Sequence, residues 1–116
     1  VDIALDTTPY SGGTTTCDAL WMGVPVVALR GSRSISRSAA SILSTVGLAG
    51  WVASTPEEYV KLAVGFARDE TLLADLRSSL RGKMRASPLM DEATFVHKLE
   101  SAYREMWRIW CNSGIR

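Results

Sequence analysis

Short apolar runs alternate with polar, glycine-containing segments over the first half of the chain. The runs at 1–5, 24–30 and 48–53 are rich in β-branched and aliphatic residues, which predicts three strands. Apolar residues at helical spacing follow at 14–22 and 36–46, each group ending at a glycine. Strands that alternate with helices favour an α/β fold whose strands pair in parallel.

Helical spacing of apolar residues dominates the second half of the chain. One helix has a well-marked beginning, since Thr55 fits an N-cap, Pro56 the first helical position and Glu58 the reciprocal capping partner. Further helices are predicted over 70–86 and from Asp91 onward, and the last of them carries an aromatic stripe. We expect this half to cover the sheet or to reach another domain, with its aromatic side chains packed.

Composition and charge are those of an ordinary globular protein. The chain has 116 residues, of which 47% are hydrophobic and 22% charged, and its formal net charge is +1. This length allows one domain, and the near-neutral charge disfavours a nucleic acid as partner. Every apolar run is shorter than the roughly 20 residues of a membrane span, so we predict no membrane contact.

The cysteines and the first residue bear on where the protein works. Cys17 and Cys111 are too few and too distant in sequence for a disulfide framework, and they lack the spacing of a metal site. We therefore predict reduced thiols in a cytoplasmic protein. The chain begins with Val1 inside a predicted strand, so we expect a piece of a longer protein.

The segment SGGTTTCDALW joins the first predicted strand to the first predicted helix. Ligands of open α/β sheets bind beyond the carboxyl ends of the strands, where this segment lies. Gly12 and Gly13 allow a bulky anion to approach the backbone, and the following helix start offers unpaired N–H groups. The hydroxyl groups of residues 14–16 add side-chain donors. Phosphate is the ligand that such a loop is best suited to bind.

Asp18 lies one helical turn further along the same segment. Its carboxylate would repel a phosphate but can accept hydrogen bonds from ribose hydroxyls, which suggests a nucleotide diphosphate attached to a sugar. An ordinary helix start explains the same pattern, with a threonine as N-cap and Asp18 favouring the helix dipole. Local chemistry leaves both interpretations open. The phosphate-loop and dinucleotide glycine patterns are both missing, which disfavours a nicotinamide cofactor.

Four further residues are candidates for supporting contacts at the same edge of the sheet. Asp6 follows the first strand, Tyr10 lies beside the glycine loop, and Arg33 and Arg37 flank the polar segment after the second strand. Exposed arginines are more often solvated than ligand-binding, so a structural role stays open for these residues. His97 is the only histidine, and its isolation favours a surface position over a catalytic one.

Four separated stretches of the chain carry a family likeness. They are LDTTPYSGGTTTCDALWMGVPVVAL, SRSAASILSTVGL, EEYVKLAVGFARD and SPLMDEATFVHKLESAYREMW. In order and in detail they strongly resemble the carboxyl-terminal part of the O-linked N-acetylglucosamine transferase family, over nearly the whole chain. The resemblance implies a two-domain GT-B fold, usually preceded by tetratricopeptide repeats. Residues 1–116 would be the late portion of its C-terminal, donor-binding, Rossmann-like domain, with a helical end.

The resemblance also implies roles for individual residues. Thr14 and Thr15 match the family's paired threonines that hold the donor diphosphate, and Asp18 matches its ribose-binding aspartate. Gly13 stands where some members, including animal ones, have a histidine, so only its backbone N–H can serve. The uracil pocket, a diphosphate-binding lysine and the acceptor-binding residues are implied to lie upstream of Val1, and the catalytic residues therefore stay unknown.

The implied reaction is an inverting transfer of N-acetylglucosamine from UDP-N-acetylglucosamine to serine or threonine of proteins, without a metal or other cofactor. The implied partners are UDP-N-acetylglucosamine or UDP, an acceptor protein or peptide, and upstream GT-B and tetratricopeptide domains. Three alternatives stay open: a GT-B transferase with another nucleotide sugar or acceptor, a non-catalytic scaffold, and a binding module that folds alone. An incomplete sheet and an uncovered aromatic stripe argue against the last.

Overall fold

The computed structural model describes residues 1–114. Within them the strands and α-helices are β1 (Ala4–Leu5), α1 (Thr14–Trp21), β2 (Val26–Leu29), α2 (Ser38–Thr45), β3 (Val52–Ala53), α3 (Pro56–Ala67), α4 (Glu70–Arg85) and α5 (Glu92–Asn112). Short 3₁₀ turns lie at Ser34–Ser36, Ala49–Trp51 and Pro88–Met90. The order of elements is the one that the sequence predicts, except that α2 begins after a 3₁₀ turn rather than at residue 36.

The strands form a parallel sheet in the order β1, β2, β3. Ala4 pairs with Val26 on one side of β2, and Ala28 pairs with Val52 on the other. β2 is therefore the central strand, and Val26, Val27 and Ala28 are buried. The predicted α/β fold with parallel strands is confirmed. Because the strands are parallel, the segments that follow them all leave the sheet at its carboxyl edge.

β1 is shorter than the sequence predicts. Only Ala4–Leu5 of the predicted strand at 1–5 pairs with β2. The pairing begins where the Ala4 N–H donates to the Pro25 carbonyl at 2.9 Å. The next hydrogen bond toward the N-terminus would need an N–H from Pro25, which proline lacks, so the strand cannot extend.

β3 is shorter for a different reason. Of the predicted strand at 48–53, only Val52–Ala53 pairs with β2. The Trp51 N–H donates to the Leu48 carbonyl at 2.9 Å and closes a 3₁₀ turn. This turn buries Trp51, whose ring stacks on Phe66 with centroids 3.8 Å apart. Packing of the indole ring therefore shortens the strand.

Helices α1 to α4 enclose the sheet. Glycines in the left-handed region follow α1 and α2, at Gly23 (φ 81°) and Gly47 (φ 80°), as the sequence predicts. Trp21 on α1 lies half-buried, with the guanidinium groups of Arg81 and Arg85 from α4 over its ring. The helical core positions are Leu20, Ala39, Ala40, Leu43, Leu76, Leu80 and Met84.

α5 does not pack as predicted. None of its residues is buried, and the side chains of its aromatic stripe are exposed. Trp107 and Trp110 stack on each other with centroids 5.1 Å apart and remain 64% and 54% exposed. The helix projects from the sheet layers, so that the described chain measures 61 by 29 by 18 Å. None of the helices within residues 1–114 is long and apolar enough to cross a membrane.

Candidate functional site

The loop between β1 and α1 is fixed by Asp6. Its carboxylate accepts hydrogen bonds from the Gly12 N–H at 2.7 Å and from the Ser11 hydroxyl at 2.8 Å. The Tyr59 hydroxyl donates to the Asp6 carbonyl at 2.8 Å. Burial raises the pKa of Tyr59, and the Asp6 carboxylate raises it further, which keeps this hydroxyl protonated as a donor. Both carboxylate oxygens are thus engaged within the loop, and Asp6 holds the loop's shape.

α1 begins without a side-chain cap. Gly13 is the N-cap residue and Thr14 is the first helical residue. The Cys17 N–H donates to the Gly13 carbonyl at 3.1 Å, which is the first bond of the helical ladder. In the described part of the chain, the N–H groups of residues 14–16 have no hydrogen-bond partner. The interpretation of an ordinary threonine N-cap is therefore wrong, and this helix start can offer its N–H groups to an anion.

The two glycines of the loop differ in the space around them. A Cβ atom at Gly12 would lie 2.7 Å from the Thr16 hydroxyl oxygen and 2.9 Å from the Thr15 hydroxyl oxygen. A Cβ atom at Gly13 would meet nothing within 4 Å. The missing side chain at Gly12 therefore lets the threonine hydroxyls of α1 lie close to the loop backbone. At Gly13 there is room for a side chain.

One cleft of about 430 Å³ lies in front of the first turn of α1. Thr14 and Thr15 are exposed in it, whereas Thr16 is buried beneath the loop. We call this the α1 cleft; it is lined by Thr7, Tyr10, Ser11, Gly12, Gly13, Thr14, Thr15, Ile35 and Ser38. The structure thus brings together the glycines and the paired threonines that the sequence singled out, and Tyr10 joins them at the rim.

Asp18 lies outside the α1 cleft. It is exposed on α1, one turn beyond Thr14 and Thr15. Burial raises the pKa of the neighbouring Cys17 thiol, and the negative charge of Asp18 raises it further, so this cysteine stays protonated. No contact within residues 1–114 bears on the predicted role of Asp18 in binding the ribose, so that role stays a prediction.

Arg33 and Arg37 line two neighbouring clefts instead of the α1 cleft. Arg33 lies on an apolar cleft of about 480 Å³, together with Tyr10 and Ile35. Arg37 lies on a polar cleft of about 790 Å³ at the start of α2. Ser38 lines both that polar cleft and the α1 cleft, so the openings adjoin. The arginines therefore border the predicted donor site without entering it.

Ser11 connects two loops at this edge and is missed by the sequence analysis. It is 3% exposed, and its hydroxyl accepts a hydrogen bond from the Ala39 N–H at 2.9 Å. Its own N–H donates to the Ile35 carbonyl at 3.1 Å. Together with its bond to Asp6, these contacts tie the loop after β1 to the start of α2. Ala39 lies 28 residues away in sequence, so no local pattern reveals this link.

Comparison with known proteins decides the family. The model of glycosyltransferase family 41 matches residues 1–99. The chain belongs to this family. The resemblance seen in its four sequence stretches is therefore confirmed.

Relatives in family 41 show how much of such a protein this chain represents. SPINDLY of Petunia hybrida, described as a probable UDP-N-acetylglucosamine–peptide N-acetylglucosaminyltransferase, is 50% identical over 99% of this chain and 12% of its own length. SEC of Arabidopsis thaliana, with the same description, is 36% identical over 96% of this chain and 12% of its own length. The structure of a Thermobaculum terrenum O-GlcNAc transferase mutant superposes with a TM-score of 0.89 at 47% identity, over 99% of this chain and 22% of that one. The chain thus spans about an eighth of the curated relatives' length.

The α1 cleft of this family 41 chain offers hydrogen-bond donors and no ionised side chain. Its lining contains hydroxyl and backbone groups but no carboxylate, imidazole or amine. Within residues 1–114, no three His, Cys, Asp or Glu side chains are grouped so that they could hold a metal ion. The cleft can therefore offer hydrogen bonds to an anion.

Proposed function

We propose that this chain binds the diphosphate of a nucleotide sugar as part of the donor-binding domain of a glycosyltransferase. One observation carries the proposal: the uncapped first turn of α1 faces a cleft that also displays the Thr14 and Thr15 hydroxyls. Backbone N–H groups at a helix N-terminus, joined by hydroxyl donors, suit phosphate oxygens. Membership of family 41 supports the same role.

In the proposed reaction, the hydroxyl oxygen of an acceptor serine or threonine attacks the anomeric carbon of the sugar. That carbon–oxygen bond forms as the bond to the β-phosphate oxygen breaks, and the nucleoside diphosphate leaves with the electron pair. The acceptor's proton passes to a base outside this chain, and attack opposite the leaving group inverts the configuration. The start of α1 stabilises the charge that grows on the phosphate; one such donor typically lowers a barrier by about 3 kcal/mol.

We propose UDP-N-acetylglucosamine as the donor and a protein or peptide as the acceptor, because the SPINDLY and SEC descriptions name both. On this proposal residues 1–116 are the C-terminal portion of the nucleotide-sugar-binding half of a GT-B enzyme. The rest of that fold and tetratricopeptide repeats precede it, and the whole protein works in the cytoplasm without a metal or other cofactor. Gly12 shapes the diphosphate loop, and Asp18 binds the ribose.

A second donor class fits the same cleft. The proposed contacts of this chain are to the diphosphate and the ribose, which UDP-sugars and GDP-sugars share. A donor screen that measures hydrolysis of UDP-N-acetylglucosamine, UDP-glucose and GDP-sugars by the full-length transferase separates these possibilities.

The diphosphate role is tested by titrating UDP against the full-length transferase and its Thr14→Ala/Thr15→Ala variant in a calorimeter. Each hydroxyl would donate to a charged oxygen, so we expect the dissociation constant to rise about tenfold or more. The midpoint of thermal unfolding should not move, because both side chains are exposed and make no hydrogen bond within residues 1–114.

Thr71 supplies the matched control. It is exposed and occupies the second helical position of α4, as Thr15 does in α1. Thr71→Ala should leave both UDP affinity and stability unchanged. Unchanged UDP affinity in the double variant at α1 would refute the diphosphate role. Failure of the wild-type protein to bind any nucleoside diphosphate would refute the transferase proposal itself.

A further inference from the structure

The most spacious cleft among those described lies beside the α1 cleft and is lined by arginine and serine side chains. It measures about 790 Å³ and opens between the end of β2, the start of α2 and β3. Ser38 lines both this cleft and the α1 cleft, so the two clefts are neighbours. We call it the arginine cleft; its polar lining is Arg30, Arg37, Ser34, Ser38, Ser41, Ser44 and Ser54.

The guanidinium groups of this cleft have no carboxylate partner in the part of the chain that the structure describes, where the ion pairs involve other arginines. Within residues 1–114 the Arg30 guanidinium makes a single hydrogen bond, a long one from Nη2 to the Ser54 hydroxyl at 3.4 Å. The sequence between Asp18 and Glu57 contains three arginines and no acidic residue. The nearby Glu58 carboxylate is engaged by the Ser54 N–H at 2.6 Å. The lining of the arginine cleft therefore carries positive charge that no carboxylate in that lining neutralises.

The backbone holds both arginines in fixed places. The Arg30 N–H donates to the Ala53 carbonyl at 2.9 Å, which extends the pairing of β2 with β3. The Arg37 N–H donates to the Ser34 carbonyl at 3.0 Å, and Arg37 is the N-cap residue of α2. Two arginines with anchored backbones, in one lining with serine hydroxyls, suit a planar or tetrahedral anion, because arginine can donate two parallel hydrogen bonds to such a group.

We propose that the arginine cleft binds an anionic side chain of the acceptor peptide, a phosphoserine, aspartate or glutamate close in sequence to the residue that receives the sugar. This inference rests on the proposed transferase function. The volume exceeds the needs of a single ion, and the neighbouring apolar cleft shares Arg30 and Ser54 with it. That apolar cleft, which carries Tyr10 and Ile35, provides a place for adjoining apolar residues of the same peptide.

The test compares peptides that differ in one flanking residue. Serine, aspartate or phosphoserine is placed at successive positions on either side of the acceptor serine, and kcat/KM for sugar transfer is measured with the full-length transferase. We expect the anionic peptides to be preferred at one or two neighbouring positions by roughly tenfold or more, which is what hydrogen bonds to charged groups supply. The aspartate and phosphoserine arms show which anion the cleft prefers.

Variants of the two arginines then assign the preference. Arg30→Gln/Arg37→Gln should abolish it, Arg30→Lys/Arg37→Lys should retain part of it, and Arg37→Glu should favour a peptide with lysine at the same position. Arg68→Gln is the control for the loss of a positive charge away from the cleft, because this exposed arginine is the C-cap residue of α3. It is compared with the single variants Arg30→Gln and Arg37→Gln, which remove one charge each. UDP affinity and the unfolding midpoint are measured for each variant.

The outcomes separate this inference from the proposed function. Loss of the acidic preference with UDP affinity intact supports the arginine cleft as an acceptor subsite. Equal use of all peptides by the wild-type enzyme, or a preference that survives both the Gln and the Glu variants, overturns it while the transferase proposal stands. Loss of UDP affinity in the Gln variant also overturns it, since the arginines would then serve the donor.

Discussion

The starts of α1 and α3 lie at the same edge of the sheet and are built in opposite ways. At α3, the Thr55 hydroxyl accepts a hydrogen bond from the Glu58 N–H at 3.2 Å, and the Glu58 carboxylate accepts one from the Ser54 N–H at 2.6 Å. At α1, Gly13 occupies the N-cap position and no side chain caps the helix. Both segments contain threonines, but only at α3 does a threonine side chain cap the helix.

The difference shows how a helix start becomes available to a ligand. A capped start has already paired its donors within the chain, so it gains stability and offers little to an anion. Among the residues that the structure describes, the α1 start leaves three N–H groups without a partner and relies on the loop, not on a cap, for its shape. Substitutions at α3 should therefore affect stability alone, and those at α1 should affect binding or both.

Gly12→Ala should have the largest effect, because it removes the space that the α1 start needs. The added Cβ atom would lie 2.7 and 2.9 Å from two threonine oxygens and 3.2 Å from an Asp6 oxygen, all well below normal contact. We expect the free energy of unfolding of the full-length transferase to fall by about 3 kcal/mol. UDP affinity should fall with it, since the loop must shift.

Gly13→Ala is the control for this change. Its Cβ atom would meet nothing within 4 Å, so the cost should stay below about 1 kcal/mol, the usual penalty for alanine at an N-cap. Urea unfolding of the two variants side by side gives the comparison. Equal midpoints would mean that close packing of the loop on α1 does not shape this helix start.

Ser11→Ala should have the next largest effect, because it breaks the link between the α1 loop and α2. The change leaves the Ala39 N–H without its partner and frees one oxygen of Asp6. An unpaired buried group of this kind costs about 2 kcal/mol. Urea unfolding should show this loss, while Ser32→Ala, at an exposed serine of the next loop, should show none. A silent Ser11→Ala would mean that the two loops are held independently.

The same contrast explains what could be predicted from the sequence. The Thr55 cap was predicted because its bonds lie within four residues, although the Glu58 carboxylate accepts from the N–H of Ser54 and not, as in a capping box, from that of Thr55. The position of the glycine loop was also predicted, but not whether a threonine or Gly13 would be the N-cap. That choice depends on the Asp6 and Ser11 contacts, one of which reaches Ala39 across 28 residues. A local sequence pattern does not reveal hydrogen bonds between residues that lie so far apart in the chain.

α5 marks a second limit of sequence reasoning. Its spacing of apolar residues predicted the helix correctly, and the structure confirms it over Glu92–Asn112. The same spacing predicted that Trp107 and Trp110 would be packed, yet both are exposed in the described chain. Periodicity tells which residues share a face of a helix, but it does not tell whether the surface that covers this face belongs to the same segment.

Thr55→Ala should have a smaller effect, confined to stability. Loss of one N-cap hydrogen bond costs about 1 kcal/mol, so the urea midpoint should fall modestly. UDP affinity should not change, because no residue of α3 lines the α1 cleft. Together with Thr14→Ala/Thr15→Ala, which should weaken UDP binding without loss of stability, this gives a crossed pattern. If Thr55→Ala also weakened UDP binding, the two helix starts would not be functionally separate.

The smallest effect is expected at α5, where the cap itself can titrate. Hydrogen bonds from the Thr94 side chain and backbone, helped by the Lys98 charge, hold the pKa of Asp91 below its ordinary value. Because the pKa of Asp91 is lower in the helix than in the unfolded chain, the ionised cap stabilises α5 at pH values above the ordinary aspartate range. This stabilisation is lost as the pH falls through the lowered pKa.

We expect the helicity of a peptide spanning residues 87–114, followed by circular dichroism, to fall more on acidification than that of its Asp91→Asn variant. Asparagine caps a helix without a charge, so the two peptides differ only in whether the cap can be ionised. Superimposable titration curves would show that the α5 start, like that of α1, does not depend on an ionised cap.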